Sequence, residues 1–274
     1  MTYFGFLARF VVLPTIIIRW LIWRDNQKKK NLPEALTNWD AEKALFAHSA
    51  VALTYTTIWD NYLVATKVWG YDPELVTGIR FGWVPVEEYT FFVLQPLLTG
   101  SLLQYLMRRM PPSDAPYPPD KNLKPRLLAT GALGIIWLMS LRKMAEGNPN
   151  NTYLSLITAW ALPPVMFQTA FGGDILWRNR KLILTNILIS TAYLGVADSI
   201  SIGKGTWGIN PEKTIGVDVI PHLPFEEFFF FLITNVLLTL GVTLVMSKES
   251  ENRLPERLRD TYYKFKAHWL KRNS

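Results

Sequence analysis

Two short segments each set adjacent glutamates among apolar and aromatic residues: Pro85-Val86-Glu87-Glu88-Tyr89-Thr90-Phe91-Phe92 and Pro224-Phe225-Glu226-Glu227-Phe228-Phe229-Phe230-Phe231. A carboxylate in hydrocarbon is costly, so acids kept there tend to be functional. Burial and like-charge crowding oppose ionisation. In such a cluster some acids hold their protons while partners stay charged, which gives one site both an acid and a base. Asp60 and Asp198 belong to the same set, because they occupy matching positions in the two copies. The aromatic residues around the acids suit a cation: a ring face stabilises one by about 0.5–2 kcal/mol. Trp83, Tyr89, Phe91, Phe92, Phe228 and Phe231 would form a substrate-facing wall. A run of four phenylalanines on a helix faces all round, so one or two of them line a site and the rest face lipid. His222 stands four residues before Glu226; it reads as a proton relay or as a packing histidine.

The repetition extends beyond the glutamates. At an offset of 138, Asp60 falls on Asp198, Trp69-Gly70 on Trp207-Gly208, Pro73-Glu74 on Pro211-Glu212, and Gly78 on Gly216. The glutamate pairs match at 139, so one residue is inserted between. Asn61 falls on Ser199, which makes the halves chemically unequal. Repeats fix architecture. These imply an all-α chain of two three-helix units, 1–106 and 150–246. Between them lies a connecting region at 107–149, and a basic tail follows at 247–274. Two three-span units joined directly would insert upside down to each other. A spacer span at 126–142 restores one orientation, so the repeats are expected to be parallel about an axis along the membrane normal. The proline-rich stretch at 110–125 reads as a polar linker.

Composition agrees with a polytopic membrane protein. The 274 residues are 49% hydrophobic. The apolar residues fall into seven blocks, 3–23, 44–65, 80–106, 126–142, 152–170, 182–202 and 215–246, most near the ~20 residues that cross a bilayer. The first block, with Arg9 and Arg19 and no small-residue cleavage site, reads as a retained helix. Of the 29 Lys and Arg, 21 fall in 24–43, 107–126, 171–181 and 247–274, against six in the alternate loops. By the positive-inside rule the N-terminus is outside and the C-terminus cytoplasmic. The net charge of +7 is therefore a topology signal, not a nucleic-acid one. The tail from Arg253 to Arg272, with Tyr262, Tyr263, Phe265 and Trp269, is read either as an interfacial helix on anionic lipid or as a solvated tail. With no cysteine and three histidines, thiolate chemistry is excluded and a zinc site is poorly supported. No dinucleotide or P-loop glycine motif occurs. No metal or cofactor is expected.

With the third span beginning near Arg80, Glu87 and Glu88 would lie roughly 10–12 Å along its axis. Asp60, five residues from the end of an antiparallel span, would reach similar depth. The same holds for Asp198, Glu226 and Glu227, so six carboxyl groups would share one layer. One glutamate of each pair would face the bundle centre while its neighbour braces an adjacent helix. Pro85 and Pro224 would lie inside their spans and bend them. Taken alone, these features suit a lipid-soluble hydrocarbon rearranged by protonation, or a proton-coupled small-solute carrier.

Three stretches in the first half, Thr56-Thr57-Ile58-Trp59-Asp60-Asn61-Tyr62-Leu63, Trp69-Gly70-Tyr71-Asp72-Pro73 and Pro85 to Phe92, resemble the first half of the membrane lycopene cyclases of fungi and bacteria. Pro224-Phe225-Glu226-Glu227 through Leu232-Ile233-Thr234-Asn235 resembles the second half. The chain is similar to the two-half fusion without a phytoene synthase part. The resemblance implies redox-neutral closure of lycopene ψ-ends to β-rings. Protonation of the terminal double bond, attack on the cation by an internal double bond, and deprotonation would follow in turn. It implies that Glu87, Glu88, Glu226 and Glu227 carry the proton, with Asp60 and Asp198 as partners and Asn61 and Tyr62 orienting them. It also implies a lipid-soluble carotenoid as substrate, no nucleic acid, and contact with other enzymes of carotenoid synthesis. Ring type (β, ε or γ), C50 substrates, and the transporter reading stay open here. A retinal receptor is disfavoured because block 215–246 has no lysine.

Overall fold

An apolar chain that leaves water must pair its own N–H and C=O groups, which within one segment means a helix. The computed structural model describes residues 1–111 and 123–271, without the side chains of 265 and 268–271. Most of the linker expected at 110–125 therefore lies outside the described residues, as do Arg272 and the side chains of Phe265 and Trp269. The chain is mostly helical. The first half forms α1 (Tyr3–Gln27), α2 (Ala41–Ala65) and α3 (Val86–Met107); α4 (Leu123–Ala145) follows. The second half forms α5 (Thr152–Arg178), α6 (Arg180–Gly203) and α7 (Phe225–Met246). All but α2 are long and apolar enough to cross a membrane. At 25 residues α2 has the length, but His48, Ser49, Thr54, Thr56, Thr57, Asp60 and Asn61 dilute its apolarity. The architecture is compatible with a membrane protein.

The packing is the same in both halves. α3 packs on α1 and α2, α7 packs on α5 and α6, and α3 and α7 pack on each other. The halves also interlock: α2 touches α7, and α6 touches α3. Tyr55 of α2 donates to the Trp160 carbonyl at 2.8 Å, and Tyr193 of α6 donates to the Phe10 carbonyl at 3.0 Å. α4 stands at the edge, packed mainly on α5. Inside, Asn235 accepts from Gln95 at 2.9 Å and from Thr99 at 2.8 Å, and donates to Thr191 at 3.1 Å. This ties α3, α6 and α7 together.

Short strands close one end. β1 (Trp69–Tyr71) pairs antiparallel with β4 (Trp207–Ile209), and Gly70 opposes Gly208. Trp69 opposes Ile209 and Tyr71 opposes Trp207, so the register maps onto itself under the 138-residue offset. Flanking bonds match too: Asn210 N–H to Val68 at 2.8 Å, and Asp72 N–H to Thr206 at 3.4 Å. Two hairpins, β2 (Arg80–Phe81) with β3 (Val84–Pro85) and β5 (Asp218–Ile220) with β6 (Leu223–Pro224), lead into α3 and α7. The second hairpin has a register shift between Asp218 and Ile220. A bulge adds one residue to a strand, which is where the offset changes from 138 to 139.

The hairpins correct two expectations. Pro85 and Pro224 are not inside helices. Each ends a strand with extended ψ (154° and 147°) and precedes the first helical residue. Proline cannot give a ladder or helix N–H and is tolerated at a helix start. The prolines therefore set where α3 and α7 begin and bend neither. Consequently Glu87–Glu88 and Glu226–Glu227 sit in the first helical turn, not two turns inside a span.

Candidate active site

Each glutamate pair divides its labour. Glu87 accepts the Thr77 N–H at 2.6 Å, and Glu226 accepts the Ile215 N–H at 2.7 Å. Thr77 and Ile215 are themselves equivalent at the 138 offset. These two carboxyls hold the loops that lead into the hairpins, not a neighbouring helix. Glu88 and Glu227, one residue on and about 100° round the helix, point to the bundle centre. There they meet Asp198 at a small cavity of about 30 Å³, lined also by Tyr3, Tyr71 and Trp207. That is room for about one water. Asp60 faces Glu88 and Glu227 from α2. All six carboxyl residues are between 0% and 6% exposed. Their burial comes from the strand-bearing loops folded over the helix ends. Glu88 and Glu227 also lie at helix N-termini, where the helix dipole favours negative charge.

The hydrogen bonds at the centre are asymmetric. Glu88 accepts from the hydroxyls of Tyr3 and of Tyr71, the latter at 3.0 Å. Glu227 accepts from Tyr153 at 2.5 Å, while the position matching Tyr71 is Ile209. Trp207 donates its indole N–H to Asp198 at 2.9 Å. Trp69 lies beside Asp60 in the matching place, but neither Asp60 oxygen closes a hydrogen bond within the described residues. Among those residues no lysine, arginine or histidine pairs with any of these four acids. Four buried acids with no counter-charge, near hydroxyl donors and almost no water, can hold and move protons.

Sequence reasoning missed Tyr3 and Tyr153. A signal existed: Thr2-Tyr3 repeats as Thr152-Tyr153, at an offset of 150. The Tyr55–Trp160 and Tyr193–Phe10 contacts obey the same two offsets. Other expected residues lie elsewhere. Asn61 latches the first hairpin: its Oδ1 accepts the Trp83 N–H at 2.8 Å and its Nδ2 donates to the Tyr89 hydroxyl at 2.8 Å. Gly82, at φ +69°, has no side chain because a Cβ there would collide with Asn61. Ser199 does the same service in the second half, donating to the Pro221 carbonyl at 2.5 Å. Tyr62 and Trp83 are 53% and 61% exposed and do not line the small cavity. Phe228 packs beside Gly195. His222 occupies an exposed turn at φ +66°, its ring against Gly203, outside α7. Phe231 lines the small cavity, and Phe92 is buried near it.

The latch makes a first prediction. Asn61→Ala removes the acceptor of the Trp83 N–H and the donor to the Tyr89 hydroxyl, and lowers stability by about 1–3 kcal/mol. This is read as a lower thermal unfolding midpoint in detergent, with the chemistry of the residual folded protein retained. An unchanged midpoint would show that other contacts hold the hairpin.

Directly beside the acids is an aromatic stack. Trp59 stacks on Trp160 at 4.6 Å and on Phe230 at 5.5 Å, while Tyr55 stacks on Trp160 at 5.3 Å. Trp69 abuts Trp59 edge-on at 5.8 Å. Phe91 and Phe230 each follow their inward glutamate by one helical turn.

The chain is similar to known proteins. The lycopene cyclase family model matches residues 2–106 and 150–246. A lycopene beta-cyclase of Halobacterium salinarum is 37% identical over 210 residues, covering 75% of this chain and 85% of that protein. A bifunctional lycopene cyclase/phytoene synthase of Podospora anserina is 32% identical over 201 residues, 71% of this chain but 33% of that protein. One of Phycomyces blakesleeanus is 31% identical over 193 residues, 70% of this chain and 32% of that protein. No solved structure matches the chain. With two matched stretches that span most of its length and bring every inward carboxyl with them, the chain belongs to the lycopene cyclase family and is an enzyme, a cyclase.

Proposed function

We propose that the chain converts the ψ-ends of lycopene to β-rings, and that Glu88, Glu227, Asp60 and Asp198 carry the protons. The observation behind this reading is that inward carboxyls from both halves meet in one dry cluster bordered by stacked aromatic rings. In the proposed sequence, one carboxyl of the set adds H⁺ to the terminal double bond. The cation forms at the tertiary carbon. Electrons of the internal double bond close a six-membered ring and move the charge into it. A carboxylate then removes a ring proton and restores the double bond. The proton gained equals the proton lost, so no redox partner is consumed. General acid–base help of this kind contributes about 10²–10⁴-fold. The faces of Trp59, Trp160 and Phe230 stabilise the cation, by about 0.5–2 kcal/mol each. The tyrosines on Glu88 and Glu227 are positioning residues that fix where each carboxyl aims.

The finer architecture belongs to the same proposal. All seven long helices cross the membrane, α2 included, because its polar face turns inward to the site. The self-symmetric β1–β4 register supports two parallel repeats about an axis passing between Gly70 and Gly208. The strand-bearing end then faces outside and the basic tail the cytoplasm, as the lysine and arginine distribution favours. The fused cyclase/synthase name of the Podospora relative supports contact with other enzymes of carotenoid synthesis. The test is expression in cells that accumulate lycopene, followed by pigment chromatography. A bicyclic β-ring product is the expected result. Unchanged lycopene from abundant membrane-embedded protein would refute the reading, and ε-rings would correct its ring type.

A further inference from the structure

Repetition offers the acid cluster two flanks, and the two are built differently. On the α2–α5 flank, beneath the aromatic stack, lies a cavity of about 140 Å³ bordered by Ala52, Thr56, Phe91, Phe230 and Leu237. It shares His48, Pro164 and Gln168 with a second cavity of about 390 Å³, which reaches Val245 and Tyr262. The pair runs beside α7 from Phe230 to Val245, about 22 Å at 1.5 Å per residue. Of the polar side chains on this path, the His48 Nδ1 lies 2.7 Å from the Ala44 carbonyl and Gln168 donates to the Leu237 carbonyl at 3.0 Å, while Gln95 donates to Asn235 at 2.9 Å and Glu251 pairs with Lys266. At its far end Tyr262 of the tail accepts the Trp39 indole N–H at 2.7 Å, so the tail forms part of the wall.

The matching flank between α6 and α1 is lined by more polar and bulkier residues. Under the 138 and 139 offsets, His48 becomes Asn186, Ala52 becomes Ser190, Thr56 becomes Leu194 and Pro96 becomes Asn235. Asn186 donates to Thr239 at 2.8 Å, Asn235 bonds to Gln95, Thr99 and Thr191, and Leu194 is fully buried. The Asn186 Nδ2, the Asn235 amide and the groups they bond do not part for a hydrocarbon, because each would be left unsatisfied.

We propose that the α2–α5 channel alone holds the polyene, so that each chain end reaches the acids from the Trp160 side and the second flank is a structural remnant of the duplication. The occupant is a linear hydrocarbon: the walls are mainly apolar, the two cavities together are long and narrow, and they end one helical turn from Glu88 and Glu227. This rests on the proposed cyclase chemistry and adds the path and the side of approach. Because one flank serves, the two ends of a symmetric substrate must take turns in it.

The test compares bulk added on the two flanks. Val51 borders the channel and is 63% exposed; its repeat equivalent, Ile189, is 47% exposed, so tryptophan at either leaves the core alone. In lycopene-accumulating cells, Val51→Trp and Ala52→Phe should lower cyclised pigment per unit of membrane-embedded protein by about tenfold or more, since small misplacements of a reacting centre cost up to about 10²-fold. Ile189→Trp should stay close to the parent chain. Ala52→Val, which fills less space, should fall between the parent and Ala52→Phe, a grading that loss of fold would not give. Full activity of Val51→Trp and Ala52→Phe, or an equal loss in Ile189→Trp, overturns the channel. Glu88→Gln, measured alongside, separates the two ideas. If it is inactive while the channel variants are fully active, only the channel fails. If it too is fully active, the acid–base reading fails first.

Discussion

Glu88→Gln and Glu227→Gln each lower the cyclisation rate by about 10²–10⁴-fold, the usual worth of a positioned proton donor or acceptor. Glu87→Gln and Glu226→Gln leave it near that of the parent chain. The contrast within each pair carries the argument. An amide keeps the oxygen that accepts the Thr77 or Ile215 N–H, so the loop stays held when Glu87 or Glu226 is neutralised. The same change at Glu88 or Glu227 removes a group that can give and take H⁺ while keeping its shape and its tyrosine partners. Membrane abundance should be similar in all four variants, and pigment chromatography normalised to it reads the rate. If Glu87→Gln lost as much as Glu88→Gln, the division between inward and loop-holding carboxyls would be wrong. Glu88 and Glu227 are also unequal, since two tyrosine hydroxyls reach Glu88 and one reaches Glu227. Tyr71→Phe is the variant that makes their surroundings alike.

Several parts of this site were legible in the residue order. Charged pairs in apolar surroundings and a repeat with fixed offsets required two similar bundles with acids between them. What could not be read was helix phase. α3 and α7 are apolar on nearly every face, and a helix hydrophobic all round gives no moment to say which side looks inward. That is why Glu87 could not be told from Glu88, nor Phe230 from Phe228. The helix starts were misplaced for a different reason. Arg80 to Pro85 and Val217 to Pro224 are apolar enough to extend a span, yet they form hairpins, and the prolines mark the seam. Tyr3 and Tyr153 escaped because a search at 138 passes them by. The first helices align at 150, the difference lying in the connections.

The largest loss of stability is expected at the opposite end of the molecule. Asp174 of α5 receives both guanidinium nitrogens of Arg253, at 2.5 and 2.6 Å, and the two side chains are 5% and 4% exposed. Arg126 approaches the same carboxylate at 3.9 Å. A bidentate pair this buried has given up its hydration. Glu249 stays on Arg253 at 3.2 Å, but losing Asp174 takes the bidentate carboxylate from two clustered guanidinium groups, Arg253 and Arg126, and costs about 3–5 kcal/mol. Asp174→Asn keeps the shape and loses the charge. It should lower the thermal unfolding midpoint in detergent more than Asn61→Ala does, and lower membrane abundance with it. The pair lies beside the residues that wall the wider cavity: Ser250, Glu251 and Leu254 flank Arg253 in the chain. Its loss should therefore loosen the channel's far end while leaving the acid cluster intact, and any protein that still folds should keep measurable cyclisation. Replacing both partners, Asp174→Leu with Arg253→Met, removes the buried guanidinium together with its bidentate carboxylate and should recover part of the loss. If Asp174→Asn matched the parent midpoint, the pair would contribute nothing to the fold and the segment after α7 would be held by other contacts.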